Sequence, residues 1–303
     1  MGRSEPVEQD ASVRLELFLA SSGVGARRTC AEYIRAGRVS VDGQVVLQPG
    51  ARIQETTQLV RFDDELVRYQ AKRYFVVNKP MGYICTHRDP AGRPRAVDLV
   101  PLRNKMRLFT VGRLDESSQG LLLVTNDGYL ANRLAHPRYE VTRTYRVQVA
   151  GIPSGETLMK LKRGLYFSDG KLQVRTARKL KTRGQSSFLE LDMREGRNRE
   201  IRRLLSRVGH KVIKLERIAF GPLRLARLGL GRSRELKADE VDRLRQFVAS
   251  SRKSRAQSSG KSPAARQGKS SGAQKRRRRT PAGAATGAEG GRTANRSKRR
   301  ATS

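Results

Sequence analysis

The sequence from Val111 to Gly128 reads V-G-R-L-D-E-S-S-Q-G-L-L-L-V-T-N-D-G. Two short apolar runs, Leu108 to Val111 and Leu121 to Val124, flank a polar loop that has glycine at both margins. Short apolar runs bounded by turn residues favour strands, so the pattern predicts a strand, a loop and a second strand. The loop presents Asp115 as a candidate reactive carboxylate. Composition alone favours a simpler interpretation, an ordinary turn or capping aspartate.

The charge of the whole chain indicates the kind of partner it binds. Its 303 residues include 64 Lys or Arg and 28 Asp or Glu, and the formal net charge is +36. Clustered basic side chains displace counterions from a phosphate backbone, so we expect a polyanionic partner. With 37% hydrophobic residues, the chain is also long enough for two domains and a sizeable core.

Cysteine and histidine usage gives no indication of a metal site. The two cysteines, Cys30 and Cys85, and the three histidines show no spacing typical of zinc ligands. Two G-K-S triplets lack the upstream glycine and the preceding strand of a phosphate-binding loop. We therefore expect no metal ion and no cofactor. The chain opens without an apolar signal segment and has no apolar run of membrane-spanning length, so we expect a cytoplasmic protein without membrane contact.

Charge is unevenly distributed, and this predicts the domain boundaries. Residues 250–303 contain 16 Lys or Arg and one acid, with no large apolar residue, so we expect a disordered basic tail. The favoured interpretation is an arm that holds RNA without reading sequence, and the alternative is a solubilising extension. Residues 1–12 are expected to be flexible, 13–72 to form a first domain, and 73–249, with 38 basic and 17 acidic residues, to form a second.

The first of these domains contains two predicted helices and a hairpin. Residues from Arg14 to Ser21 and from Arg27 to Ala36 each place apolar residues on one helix face. The segment from Val39 to Val46 then alternates around Asp42-Gly43, which is a strong hairpin signal.

This arrangement resembles the S4 RNA-binding module, with its R-L-x-x-x-L-x-x-x-G-x-x-[SA]-R-R and I-x-x-G-x-V-x-V-[ND]-G patterns. The chain departs from the pattern at Glu16 and Ala26, but neither change removes the basic helix face. The resemblance implies that Arg27 and Arg28 contact RNA. A solvated arginine face is the alternative for such a cluster.

The stretch around Asp115 resembles the G-R-L-D-x-x-[ST]-x-G-L-L-L-x-T-N-D-G signature of pseudouridine synthases that modify ribosomal RNA. The N-K-P-M-G sequence at Asn78 to Gly82 is a second match to that family. The resemblance implies that Asp115 is the catalytic carboxylate and that Arg113 occupies the space or charge left by a flipped base. It also favours a contact of Lys79 with RNA at the entrance of the site.

A third match lies in the predicted strand from Val141 to Val149, where Tyr145, Val147 and Val149 share one side. Without context Tyr145 would be interpreted as a core tyrosine. It falls at the tyrosine of the family's [KR]-x-Y motif, which stacks on the target base. An aromatic plane suits a flipped pyrimidine, because stacking offsets part of the cost of unstacking it from the RNA.

The last match is a predicted helix that Asn198 can cap. Its apolar face consists of Ile201, Leu204, Leu205 and Val208. Arg202 lies at the edge of that face, whereas Arg199 points away from it. The family pattern G-R-x-x-[Q]-[IV]-[RK] implies that Arg202 pairs with the catalytic aspartate.

The same pattern implies further contacts around this helix. Leu205 is expected beneath the target base. By their place beside Arg202, Arg197 and Arg199 are expected to meet solvent or phosphate. The chain has Glu200 where the family usually has Gln, so the contact made by that amide is not implied here. The alternative is that the arginine helix binds RNA without catalysis.

These matches imply an α+β fold: a small S4-like domain, then a pseudouridine synthase domain with a mixed or antiparallel sheet, then the tail. The implied activity is isomerisation of a uridine in ribosomal RNA, free or in an assembly intermediate, by a monomer. The segment from Arg217 to Leu223 resembles the branch acting on large-subunit (23S) RNA more than the small-subunit (16S) branch. The rival from another class is a noncatalytic RNA-binding factor for ribosome assembly. Whether Asp115 attacks the sugar or removes a ribose proton stays open.

Overall fold

The computed structural model describes residues 12–86, 89–101 and 106–259. The N-terminal part consists of short elements: β1 (Val13–Arg14), α1 (Leu15–Ser21), α2 (Arg27–Arg35), β2 (Val39–Val41), β3 (Gln44–Val45), β4 (Arg52–Ile53), β5 (Val60–Phe62) and β6 (Glu65–Leu66). Four of the strands form an antiparallel sheet in the order β3-β2-β5-β6, and β1 pairs with β4. The two predicted helices are confirmed to within one residue at each end.

The predicted hairpin is also confirmed. Asp42 and Gly43 join β2 to β3 with φ of 51° and 84°, the positive values that a type I′ turn requires. The two helices pack on this sheet around a small core that includes Leu15, Leu19 and Ile34, none of which is exposed. The basic face of α2 is left in solvent.

The second part contains nine further strands of one sheet and four helices. In chain order the elements are β7 (Tyr74–Lys79), β8 (Phe109–Thr110), β9 (Gln119–Thr125), α3 (Gly128–Ala135), β10 (Arg143–Ala150), α4 (Gly155–Arg163), β11 (Leu165–Phe167), β12 (Gly170–Leu172), β13 (Thr176–Arg183), β14 (Ser186–Met193), α5 (Glu200–Arg207), β15 (Val212–Phe220), β16 (Leu223–Arg224), β17 (Ser233–Glu235) and α6 (Ala238–Ser259). Strands β11 and β12 form a separate hairpin, and short 3-10 helices span Ala96–Leu99 and Pro137–Tyr139.

The nine-stranded sheet has the order β13-β14-β10-β15-β9-β7-β17, with β8 added to β9 and β16 to β15. Every pairing in it is antiparallel except that of β9 with β15, which is parallel. The sheet is therefore mixed, and the predicted α+β fold with a mixed sheet is confirmed.

The apolar run after Asp115 forms the most deeply buried strand. All seven residues of β9 are buried. Leu121 and Leu123 face a core covered by α3 and α6, whereas Leu122 and Val124 face a second core on the opposite side. Side chains of a strand alternate between faces, and burial of both faces explains why this segment is continuously apolar.

Helix α6 extends past the predicted domain boundary at residue 249. It continues to Ser259, so residues 250–259 belong to a helix rather than to a disordered tail. The rest of the predicted tail, 260–303, and residues 1–11 of the predicted flexible N-terminus lie outside the described residues.

Candidate active site

Asp115 lies in the predicted loop, between β8 and β9, and backbone contacts hold that loop in place. The Ser118 N–H donates to the Asp115 carbonyl at 3.0 Å, and the Gly82 N–H donates to the Glu116 carbonyl at 2.9 Å. Arg202 Nη2 donates to the Ser117 carbonyl at 2.9 Å. With its backbone fixed in this way, the loop leaves the Asp115 side chain 37% exposed.

Lys79 contributes to the same support, and its predicted role as an RNA contact at the entrance is wrong in this structure. It is fully buried at the end of β7. Its ammonium Nζ donates to the carbonyls of Pro80 and Ser118, each at 2.8 Å. Burial lowers the pKa of Lys79. The side chain thus holds the end of the Asp115 loop from inside the protein and does not reach the surface.

The exposed side of the loop opens on a pocket of about 570 Å³. Five of the predicted site residues line it: Arg113, Asp115, Tyr145, Arg197 and Arg199. They come from the loop that carries Asp115, from β10 and from the turn before α5. The structure therefore brings together most of the residues that the motifs single out, although up to 86 positions separate them in the chain.

The cation at ion-pair distance from Asp115 is Arg199. Its Nη1 lies 4.0 Å from Asp115 Oδ2. Arg199 precedes α5 with a left-handed backbone, φ 46° and ψ 32°, so Asn198 is not the cap of this helix as predicted. This conformation turns the Arg199 side chain into the pocket, whereas a regular helix would have directed it away.

Arg202 was predicted to pair directly with Asp115, but its side chain takes a different position. Its guanidinium donates to the Ser117 carbonyl and, at 3.4 Å, to the Val212 carbonyl. Burial lowers the pKa of Arg202, the nearby charge of Arg199 lowers it further, and the charge of Asp115 raises it. Arg202 therefore lies within electrostatic reach of Asp115 while its hydrogen bonds fix the loop.

Leu205 does not line the pocket. It is fully buried in the core beneath α5, and the apolar side chains that line the pocket near it are Ile201 and Leu215. The predicted apolar face of the helix is otherwise confirmed, since Ile201, Leu204 and Leu205 are buried. A base in the pocket would not contact Leu205 in this structure, because Leu205 is fully buried and is not part of the lining.

Glu200, at the start of α5, lines the pocket but is only 5% exposed. Its Oε2 accepts the Arg197 N–H at 3.2 Å. Burial raises the pKa of this carboxyl above its ordinary value. Arg197 itself is exposed and donates from Nη1 to the Asp169 carbonyl at 2.9 Å, so it connects the rim of the pocket to the β11–β12 hairpin.

Two arginines of the pocket were not predicted as site residues, although both lie in segments that match the family. Arg143, on β10, is 9% exposed, and Arg217, on β15, is 1% exposed. Arg143 lies two positions before Tyr145, and the period of a strand places both on one face. Arg143 is the basic residue of the [KR]-x-Y motif, and Arg217 begins the segment to Leu223 that resembles the large-subunit branch, but only the folded chain places both in the pocket.

The S4-like part exposes the predicted RNA-binding arginines. Arg27 and Arg28 are both exposed on α2. Arg27 Nη2 lies 3.2 Å from Glu16 Oε1, so the residue that departs from the S4 pattern forms an ion pair with the basic face. Contact of either arginine with RNA stays a prediction.

The described residues hold neither a metal cluster nor a membrane-spanning helix. In residues 12–86, 89–101 and 106–259, no group of three or more His, Cys, Asp or Glu side chains could hold a metal ion. Within the same ranges, no helix combines the length and the apolar character needed to cross a membrane.

Comparisons with known proteins agree with this architecture. Residues 73–207 match the family model described as RNA pseudouridylate synthase, and residues 13–59 match the S4 domain. A protein of Bacillus subtilis named ribosomal large subunit pseudouridine synthase B is 40% identical over 235 residues, covering 77% of this chain and 95% of that protein. The protein of the same name from Escherichia coli K12 is 39% identical over 78% of this chain and 84% of its own.

An Aquifex aeolicus protein named uncharacterized RNA pseudouridine synthase is 39% identical, covering 77% of this chain and 93% of that protein. A crystal structure of a pseudouridylate synthase superposes with a TM-score of 0.54 at 27% identity, covering 77% of this chain and 100% of that one. Fold and site together define an RNA-modifying enzyme with an S4 module in front of its catalytic domain. The chain belongs to the RNA pseudouridylate synthase family, whose members are isomerases.

Proposed function

We propose that this protein isomerises a specific uridine of 23S ribosomal RNA to pseudouridine. The observation that carries the proposal is the similarity, at 39–40% identity over 77–78% of this chain, to proteins named ribosomal large subunit pseudouridine synthase B. The pocket containing Asp115 and Tyr145 supports it, because it offers the carboxylate and the aromatic ring that the reaction uses.

RNA binding precedes the reaction and is mainly electrostatic. The exposed arginines of α2 and the basic surface of the catalytic domain hold the phosphate backbone, and the target uridine leaves its stack and enters the pocket. Tyr145 stacks on the flipped base. Arg113 lies exposed at the rim beside Asp115, where it occupies the place of the flipped base or contacts a neighbouring phosphate.

Asp115 then starts the cleavage of the bond between the ribose C1′ and N1 of uracil. Two routes are consistent with one carboxylate in this position: direct attack on C1′, or removal of the ribose 2′ proton to give a glycal. In both routes the freed uracil turns within the pocket and rejoins C1′ through C5. Arg199 and Arg202 place positive charge near the carboxylate.

The remaining features of the proposal concern the setting of the enzyme. Cys30 and Cys85 are free thiols, which suits a reducing cytoplasm. Ribosomal RNA, or a precursor particle containing it, is the substrate.

The experiment is pseudouridine mapping of ribosomal RNA from cells with and without this gene. We expect one 23S position to lose its modification in the deletion strain and to regain it with the wild-type gene but not with Asp115→Asn. Asn keeps the size of the side chain, so normal expression and RNA binding of this variant are the control. Loss of a 16S position instead would indicate a small-subunit enzyme. An unchanged map in both RNAs would favour a noncatalytic assembly factor.

A further inference from the structure

The floor of the pocket contains two buried guanidinium groups, those of Arg143 and Arg217. In the part of the chain that the structure describes, neither lies within ion-pair distance of a carboxylate. Arg143 Nη1 donates to the Arg194 carbonyl at 2.8 Å, and Arg217 Nε donates to the Leu121 carbonyl at 2.7 Å. Both groups lie over the ring of Phe220, at 5.6 and 5.3 Å from its centroid.

Arg217 has an unused donor. Its Nη2 is buried and has no hydrogen-bond partner among the described residues. A buried charged donor without an acceptor is unfavourable unless a ligand supplies one. Because Arg217 lines the pocket, the missing acceptor is expected to belong to the molecule that fills it.

The position of Arg217 indicates which part of the flipped nucleotide supplies the missing acceptor. Tyr145 on β10 and Arg217 on β15 are directly paired across the sheet, so their side chains are neighbours on one face. The exposed arginines Arg197 and Arg199 lie at the rim, where RNA phosphates would remain. The base enters deepest when a nucleotide is flipped, so a group on the floor beside Tyr145 faces the base.

We propose that Arg217 Nη2 donates a hydrogen bond to a carbonyl oxygen of the flipped uracil and stabilises the ring when it is detached as an anion. This inference rests on the proposed function. When the C1′–N1 bond breaks, its electron pair stays on uracil, and the negative charge is shared by N1, O2 and O4. Re-attachment forms the C1′–C5 bond, after which C5 loses its proton and N1 gains one.

The symmetry of uracil allows one fixed donor to serve both halves of the reaction. A half-turn about the line through C6 and N3 exchanges N1 with C5, and it exchanges O2 with O4. The carbonyl oxygen that leaves Arg217 is therefore replaced by the other one. The donor stays satisfied before and after the rotation, and a hydrogen bond to an anion is stronger than one to a neutral ring.

The test compares Arg217→Met and Arg217→Lys with the wild type on an rRNA fragment containing the target. We expect Arg217→Met to lower the single-turnover rate constant at saturating enzyme by about 100-fold, the usual effect of removing one donor to a developing negative charge. The Kd for RNA should change less than about threefold, because phosphates supply most of the affinity. Arg224→Met, an exposed arginine on the adjacent β16, is the matched control and should behave as wild type.

Fragments with 2-thiouridine or 4-thiouridine at the target add a readout that a structural role would not change, because sulfur is a weaker acceptor than oxygen. We expect each thio substitution to slow the wild type and to have a much smaller effect on Arg217→Met. Arg217→Lys keeps a charged donor and should retain part of the rate constant and of the thio effect. A full thio effect or an unchanged rate constant in Arg217→Met would overturn the inference. If Arg217→Met does not fold, as judged by its Tm, the absence of any thio effect in the wild type would overturn it. Wild-type protein inactive both on every rRNA fragment and on precursor particles would instead contradict the proposed function.

Discussion

Two arginines of the α5 region lie near Asp115 and act on it differently. The Arg199–Asp115 pair is separated by 4.0 Å, and its side chains are 51% and 37% exposed. Exposed pairs of this kind contribute about 0 to 1 kcal/mol. Arg202 instead holds the carbonyl of Ser117, two positions after Asp115. Loss of the Arg202 hydrogen bond would displace the loop, and this should slow the reaction more than loss of the Arg199 ion pair. A misplacement of about 1 Å can slow a reaction by about 100-fold.

We therefore expect Arg202→Ala to lower the rate constant for isomerisation at saturating RNA by about 10- to 100-fold with little change in Kd. Arg199→Ala should lower it less than about tenfold and should weaken RNA binding. Single-turnover kinetics and equilibrium binding measure the two quantities. Arg207→Ala, an exposed arginine at the end of the same helix, is the control. Equal losses in both quantities for the two variants would contradict this division.

Glu200 makes the stability of the protein depend on pH in a defined direction. Burial raises its pKa above the ordinary 4.5, and the charge of Glu195 also raises it, while Arg197 and Arg143 lower it by less. The folded chain keeps this proton at pH values where the unfolded chain has released it. Stability is therefore lost as pH rises from about 4.5 through the raised folded pKa, by about 1.4 kcal/mol for each unit of difference.

Glu200→Gln removes this titration while an amide oxygen can still accept the Arg197 N–H. We expect the variant to be more stable than the wild type at pH 8, with the difference shrinking towards zero as the pH approaches 4. Urea unfolding of both proteins across this range gives the difference in free energy directly. A variant that is less stable at pH 8 would show that the charged form is the favoured one.

Strands β9 and β15 meet at a contact that only glycine permits. Gly120 has φ +110°, and a Cβ atom there would lie 2.3 Å from the Arg217 carbonyl oxygen and 2.6 Å from its nitrogen. These are backbone atoms of the single parallel pairing in the described sheet. Neither strand can therefore move aside without breaking the hydrogen bonds between β9 and β15. We expect Gly120→Ala to lower the free energy of unfolding by at least about 3 kcal/mol, from overpacking and from the positive φ together.

Chemical denaturation measures this destabilisation, and Gly155→Ala is the matched control. Gly155 begins α4, has no atom within 4 Å of the position of a Cβ, and does not have a positive φ. Alanine there should leave stability unchanged or raise it by up to about 1 kcal/mol, because alanine favours helix. A Gly120→Ala protein as stable as that control would mean that the two strands are not held at this contact.

The elements themselves could be predicted because their signals are local. The apolar faces of α2 and α5 and the Asp42-Gly43 turn follow from periods of 3.6 or 2 residues within a dozen positions. The conformation of Arg199 has no such signal, because a left-handed residue before a helix depends on what the side chain contacts afterwards. Lys79 was misplaced for the same reason, since its acceptor on Ser118 lies 39 positions away.

The pairing register limits prediction of the site in the same way. Asp115 and Tyr145 could be found from their motifs, and the pocket brings them together. Arg217 becomes part of that pocket only because β15 pairs with β10 at Tyr145, a contact between residues 72 positions apart. A register shifted by one residue would turn Arg217 to the other face of the sheet, so this assignment needs the folded chain.

The charge of the whole molecule is not concentrated at the site. Residues 260–303 contain 13 Lys or Arg and one acid, whereas the residues that line the pocket lie between 112 and 217. Affinity for RNA and turnover should therefore be separable, because counterion release depends on the number of phosphates bound anywhere on the protein.

Ending the chain at Ser259 should weaken binding to ribosomal RNA and leave the single-turnover rate constant at saturating enzyme unchanged. The slope of log K against log salt should become shallower by about 0.7 to 0.9 for each phosphate that the shortened chain no longer binds. The control is the full-length chain with Lys and Arg of 260–303 replaced by Ser and Gln, which keeps length and solubility but removes charge, and it should bind as the shortened chain does. If the shortened chain kept the affinity and the salt slope of the wild type, the segment would be a solubilising extension. If the rate constant fell as well, the segment would take part in placing the uridine, because weaker phosphate binding alone changes only how much enzyme is needed to saturate the RNA.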